Sequence, residues 1–167
     1  MTQTQGERTR TFSWADPAEH AGVLGTTSGL DLMLAMVAGE LPPPPIMSLI
    51  DLSGMTAEEG SVTFYLEPRE FHYNPLGSVH GGVLSTLLDT AAACSVHTTL
   101  AAGVGYTSLD LNVKFLRPVT VATGRVTCRG AVLQRGRRTA LAEARMTDSK
   151  GRLLAHATSS CLIFEQP

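Results

Sequence analysis

The sequence predicts an α+β fold in which an antiparallel sheet wraps around one long central helix, with an extra helix on its N-terminal side. Three observations lead there. From Gly82 to about Leu100, Leu84, Leu87, Leu88, Ala91 and Val96 recur at helical spacing, and small or apolar residues fill much of the rest. A helix that is apolar nearly all round is buried rather than laid on a surface. Everything after it reads as strand, and a hairpin pattern precedes it.

Taken in order, residues 1 to 25 are polar and are expected to form an extension, partly disordered, ahead of a single domain over 26–167. Leu30, Met33, Leu34, Val37 and Leu41 then repeat at helical spacing, with Ser28 as N-cap and Gly39 with Pro42 as the stop. Pro42 to Pro45 reads as an extended, polyproline-like spacer. Two strand-like runs, Met47 to Met55 and Ser61 to Glu67, are joined by the acidic turn Glu58-Glu59-Gly60. The turn formers Asn74-Pro75-Leu76-Gly77 lead to the long helix. Beyond it, Leu109, Leu111, Val113 and Phe115 alternate with Asp110, Asn112 and Lys114. Three more runs follow, Val119 to Gln134, Thr139 to Asp148 and Arg152 to Phe164, and the four strands are expected to form a meander.

Composition narrows the function. The chain has 167 residues, a length that suits one domain. Its charged fraction is only 17%, which fits either surface buried between subunits or a large core with a modest surface. A net charge of -2 offers no global basic field for nucleic acid. The cysteines, Cys94, Cys128 and Cys161, are odd in number and widely spaced, so neither a disulfide framework nor a cysteine metal site is expected. The first twenty residues carry charges and no apolar run, and no stretch is long enough to span a bilayer as a helix. The cytoplasm is the expected compartment, with no membrane partner. The five histidines show no metal-ligand spacing, so no metal and no cofactor is expected.

Asp89 carries the most information. Between Phe71 and Leu109 it is the only Asp, Glu, Lys or Arg, and it stands mid-helix on an apolar segment. A buried lone carboxylate is costly without a partner or a task; it either satisfies neighbouring donors or does chemistry. The run Val79-His80-Gly81-Gly82 opens the same helix. First-turn N–H groups are unpaired and partly positive, and glycine lets a ligand come close. Such a start holds an anion or developing oxyanion, or is merely a tight turn. Gly81 and Asp89 are eight residues apart in the sequence, roughly 12 Å along a helix. One carbonyl cannot touch both in the same chain. If both act on one substrate, the site is shared by two antiparallel helices across a two-fold axis. His80 reads as a loop-fixing residue ahead of a base, and Cys94 as core. Arg135, Arg137 and Arg138 flank Gly136 in a tight turn, either solvated or gripping phosphates.

The run Asn74-Pro75-Leu76-Gly77-Ser78-Val79-His80-Gly81-Gly82 with Asp89 resembles the signature of hotdog-fold thioesterases of the phenylacetate-degradation (PaaI-like) group. Ser108-Leu109-Asp110-Leu111-Asn112, followed by Phe115-Leu116-Arg117-Pro118, resembles it too. The likeness covers about residues 28 to 165. It implies the hotdog fold and hydrolysis of an acyl- or aryl-CoA thioester. Asn74 and the Gly81 N–H would polarise the carbonyl. Asp89 of the facing subunit would be general base or nucleophile, and Ser108 would help hold the attacking water. His80, Gly82, Arg137 and Arg138 would lie along the bound CoA. Ser108 shares strand parity with Asp110 and Asn112, so it reaches such a site only if the strand kinks near its start. The expected assembly is a homodimer with composite sites, itself paired into a dimer of dimers. Two rivals use the same fold: a non-catalytic acyl-CoA sensor, and a dehydratase or hydratase, whose histidine–carboxylate motif is not found here.

Overall fold

The computed structural model describes residues 7–165. The first six residues of the expected extension and the last two of the expected domain lie outside the described residues. Within the extension, a short helix α1 (Ala18–Leu24) forms, and the Asp16 carboxylate accepts from the Ala18 N–H at 2.9 Å. Arg10 ties this stretch to the body: its guanidinium donates to the Ser48 and Leu49 carbonyls at 2.7 and 2.6 Å and lies 4.2 Å from the Phe71 ring centre.

Helix α2 (Gly29–Ala38) begins and ends where its sequence signals stand. The Ser28 hydroxyl accepts from the Asp31 N–H at 3.2 Å, and Gly39 closes the helix in the left-handed region at φ 75°. The proline run then departs from expectation. Pro44 is extended, but Pro45 starts a third helix, α3 (Pro45–Leu49). Proline is suited to a first helical position, where its missing N–H costs nothing. The apolar run Ile46 to Ile50 therefore coils instead of opening the expected strand. That strand, β1 (Leu52–Glu58), starts only at Leu52 and pairs antiparallel with β2 (Ser61–Leu66) as a hairpin.

The central helix α4 (Gly81–His97) stops three residues short of the expected Leu100. Strands β3 (Val104–Ser108), β4 (Asn112–Phe115), β5 (Val126–Arg135), β6 (Thr139–Thr147) and β7 (Leu153–Glu165) follow. They do not form a simple four-strand meander. The sheet order is β1-β2-β5-β6-β7-β3, with β4 also on β7. Of these five, only β5, β6 and β7 are neighbours in both sequence and sheet; the β1–β2 hairpin continues the sheet through β2 on one side, and β3 and β4 close it on the other. The expected strand from Val119 begins at Val126, because a single tight turn at Val121–Thr123 and Gly124 intervene.

The strand expected over Leu109 to Phe115 is broken. Ser108 pairs with Cys161 and Asn112 with Thr158, so three residues, 109–111, stand opposite Ser159 and Ser160. One extra residue makes a bulge, which resets which side chains face which way. The Leu109 N–H donates to the Ser160 carbonyl at 2.8 Å, and the Asp110 carboxylate accepts from the Ser160 N–H at 3.1 Å. The bulge is thereby held by named bonds.

The sheet curls around α4. Leu84, Leu87, Leu88, Ala91, Ala92 and Val96 are buried against Phe64, Cys128, Ala142, Ala144, Met146 and Ala157. The inward positions of β6 are largely alanine, and Ala155 and Ala157 of β7 continue them, which lets the helix sit low. At one crossing even alanine is too large: a Cβ on Gly130 of β5 would lie 1.9 Å from the Ala91 carbonyl oxygen. Gly29, at the start of α2, meets the other end of the same helix, with a Cβ site 1.8 Å from the His97 carbonyl oxygen. The sheet does not cover α4 completely. Ser85, Thr86, Asp89, Thr90 and Cys94 form a half-buried strip, which corrects the expectation of a helix buried all round.

Gly130→Ala should lower the unfolding free energy by about 3 kcal/mol, the upper range for overpacking, because the clash is with backbone. Gly22→Ala in α1, with nothing within 4 Å of its Cβ site, should cost nothing. Urea midpoints with unchanged slopes measure both; equal midpoints would refute the close-packing argument.

Candidate active site

Two groups of polar side chains flank α4, one at its start and one at its middle. At the middle, the Ser108 hydroxyl donates to Asp89 Oδ1 at 3.0 Å. The bulge after Ser108 explains this: β3 is in phase with the helix, whereas the residues beyond it are shifted. Asp89 lies where two hollows meet. One, of about 450 Å³, is lined by Thr90, Cys94, His97 and Tyr106 from the core and by Leu24, Pro44, Ile46 and Met47 from the N-terminal helices. The other is a shallow opening beside Ser85, Thr86, Asp110 and Leu111. The hydroxyls near Asp89 are occupied within the helix, Thr86 donating to the Gly82 carbonyl at 2.9 Å and Thr90 to the Thr86 carbonyl at 2.7 Å. Asp89 is the one acidic group among the described residues lining the larger hollow.

Sequence reasoning missed Tyr106 and treated Cys94 as core. The two face each other in this hollow: burial pushes the Cys94 thiol up to about 12 and lifts the Tyr106 phenol well above its ordinary value. Both stay neutral near pH 7, as does the His97 imidazole, which burial lowers. Strand parity at Tyr106 was available as a signal, but the disruption after Ser108 hid which face was inward.

At the start of α4, Asn74 shapes its own loop. Its side-chain oxygen accepts from the Leu76 and Ser78 N–H groups at 2.9 and 3.3 Å, and Nδ2 donates to the Ser78 hydroxyl at 3.2 Å. The amide thus spends one of its two N–H bonds on the loop. His80 caps the helix, its Nδ1 accepting from the Gly82 N–H at 2.9 Å, which puts its remaining proton on Nε2. This is the loop-fixing role. Gly81 lies under the Phe115 ring, whose nearest atom would be 3.1 Å from a Cβ there, so part of its need for glycine is internal. Asn74, Ser78, Gly81, Phe115 and Arg117 line a hollow of about 340 Å³. None of the hollows holding Asp89 includes Asn74 or Gly81.

The loop is anchored from below by His72. Its backbone carbonyl accepts from the His80 N–H at 2.8 Å. Its Nδ1 accepts from the Arg69 N–H at 3.0 Å and its Nε2–H donates to the Ile50 carbonyl at 3.1 Å. Burial lowers this imidazole from 6.5, against the opposing pull of the Ile50 carbonyl. Arg137 and Arg138 lie elsewhere, exposed on the β5–β6 turn beside a hollow shared with Arg135, Leu162 and Phe164. Within one chain they join neither half of the site. Among the described residues no three His, Cys, Asp or Glu side chains gather as a metal ion requires, and no helix is long and apolar enough to cross a membrane.

A profile described as the thioesterase superfamily matches residues 76–155. A phenylacetic-acid-degradation-related protein of Ralstonia eutropha JMP134 is 30% identical, with 78% of this chain and 98% of that one covered at a TM-score of 0.70. Human acyl-coenzyme A thioesterase 13 is 26% identical over 102 residues, which are 60% of this chain and 71% of that protein. The PaaI protein of the E. coli phenylacetic acid degradation operon is 17% identical at a TM-score of 0.71, covering 86% of this chain and 97% of its own.

A histidine held below its ordinary value is stabilising in the neutral form. Its full contribution is present above the unfolded value of 6.5 and drains away as pH falls below it toward the folded value. Native stability should therefore decline as pH is lowered through 6.5, and His72→Gln should show a shallower decline from a lower starting point. Urea unfolding across that range measures this; parallel curves for the two proteins would remove His72 from the account.

Proposed function

The chain is a hotdog-fold member of the thioesterase superfamily and a thioester hydrolase, and from that premise we propose that it cleaves an acyl-CoA to the free acid and CoA in sites that each draw on two chains. The observation that carries this reading is the separation of its two polar groups. Asp89 with Ser108, and Asn74 with the Gly81 N–H, line different hollows at different heights of one helix. Each is half of what thioester hydrolysis needs.

The chemistry follows from what each half offers. The Gly81 N–H is at the partly positive start of α4, and Asn74, in the wall of the same hollow, keeps a second Nδ2 N–H that its loop bond to Ser78 does not use. Together they suit the oxygen of a thioester carbonyl, whose charge grows as a tetrahedral intermediate forms. Removing one such donor typically costs about 10²–10³-fold in rate. Asp89, from the second chain, takes the proton of an attacking water or adds to the carbonyl itself. The water's oxygen becomes part of the acid, and its protons end on the acid and on the departing CoA thiol. Ser108, donating to Asp89 at 3.0 Å, orients the carboxylate and has lone pairs to hold the water. The exposed Arg137 and Arg138 suit the phosphates of CoA at the rim of an assembled dimer. The name of the human relative supports acyl-CoA as the substrate class.

Asp89→Asn should cut kcat by at least about 10²-fold in a thiol-release assay, with the fold intact by circular dichroism. Activity above a tenth of the native value would refute the role. The shared site has its own test. Asn74→Asp keeps the oxygen that closes the loop but places a carboxylate where the donor stood, and should also inactivate. Co-expression of Asp89→Asn with Asn74→Asp chains should restore activity, since one site of each mixed dimer then has both intact halves. No recovery, with mixed dimers verified by mass spectrometry, would mean that the sites are not shared.

A further inference from the structure

We propose that Met47 is the partition between two neighbouring hollows and sets the length of acyl chain that the enzyme accepts. The inference rests on the acyl-thioester reading above and names its substrate class as straight-chain acyl groups, graded by length. The hollow that opens onto Asp89, about 450 Å³, has Met47 in its wall. A second hollow of about 490 Å³ lies between α2, α3 and the β1–β2 hairpin, and Met47 is in its wall as well. Met47 is the residue common to both. Its side chain is 7% exposed and packs in the core.

The linings say which part of a substrate belongs there. Around the second hollow stand Met36, Leu52, Met55 and Phe64, with polar atoms from Ser13, Ser48 and Asp51. Neither hollow has a Lys or Arg among its described lining residues, so neither suits the phosphates of CoA. The hollow at Asn74 and Gly81 does have one, Arg117. An acyl tail starting at Asp89 would therefore meet Met47, with the Met36, Leu52, Met55 and Phe64 side chains beyond it. The Met47 side chain is unbranched, rotates about three bonds and is polarizable, the properties of a residue that yields or refills a gap. Its backbone is held by the short helix α3, which Pro45 starts and the Arg10 bonds to Ser48 and Leu49 secure. The wall is thus fixed in place while its tip is adjustable.

The test compares native protein, Met47→Ala and Met47→Phe on a ladder of acyl-CoAs from butyryl to palmitoyl. Alanine joins the two hollows and should raise the long-to-short ratio of kcat/KM by about 10-fold or more, the scale of a mismatched methylene in an apolar pocket. Phenylalanine fills the passage and should lower that ratio by a similar factor. Opposite shifts from two substitutions at one position exclude general damage to the fold. Calorimetric binding of the free acids of the same ladder gives a readout independent of catalysis, and the longest acid bound should move in the same order. If neither variant moves either readout, Met47 is not the partition. If native protein cleaves no member of the ladder but the acids still shift, the partition stands and the acyl-CoA reading falls.

Discussion

Backbone approaches backbone where α4 crosses β5, and most of the molecule is arranged around that approach. At Gly130 there is no room for a Cβ beneath the Ala91 carbonyl. A helix so close to a sheet needs small residues across its whole footprint, and Ala142, Ala144, Ala155 and Ala157 supply them. Phe64, Leu66, Met146 and Leu154, all fully buried, fill the rest of the same core. The curl of the sheet follows, since only a curved surface can keep to a cylinder over this distance. Interiors packed this tightly have little slack, so the helix cannot roll to hide its polar strip.

The polar strip therefore points at the one side the sheet leaves open, and Asp89 lies there. Two devices bring partners to the ends of that strip. The bulge at residues 109–111 turns β3 so that Ser108 reaches Asp89, while β4 resumes with a different phase. The loop before α4 is clasped by Asn74, His72 and His80, which fixes where the first N–H groups of the helix emerge. The polar atoms involved are bonded locally. No buried side-chain nitrogen or oxygen among the described residues lacks a partner.

What was legible in the sequence was whatever depends on short range. The α2 cap at Ser28, the stop at Gly39, the hairpin and the long helix all follow from local periodicity and capping chemistry. The isolation of Asp89 in a run of uncharged residues and its spacing from Gly81 marked both halves of the proposed site. Illegible were the features decided at long range. Pro45 coiled an apolar run that reads equally well as strand, and the choice was made by how α3 docks. The sheet order could not be had from strand periodicity, because β3 joins β7 across more than forty intervening residues. The bulge was visible only as an unexplained parity at Ser108, and without it neither Tyr106 nor Cys94 could be placed facing a hollow.

Thr86 and Thr90 on α4 each return a hydroxyl to the carbonyl one turn earlier. Bonds of this kind draw carbonyls off the helix axis and bend it. They flank Asp89 in the half-buried strip, Thr86 one turn before it and Thr90 immediately after it. The stretch of α4 between the two proposed half-sites thus carries bonds that favour curvature over a straight rod. Drift at those positions to valine, which has the same outline and no hydroxyl, would retune the angle between one half-site and the other. Substitution at a pair of uncharged residues would in this way reshape the helix while leaving Asp89 and Gly81 themselves unchanged.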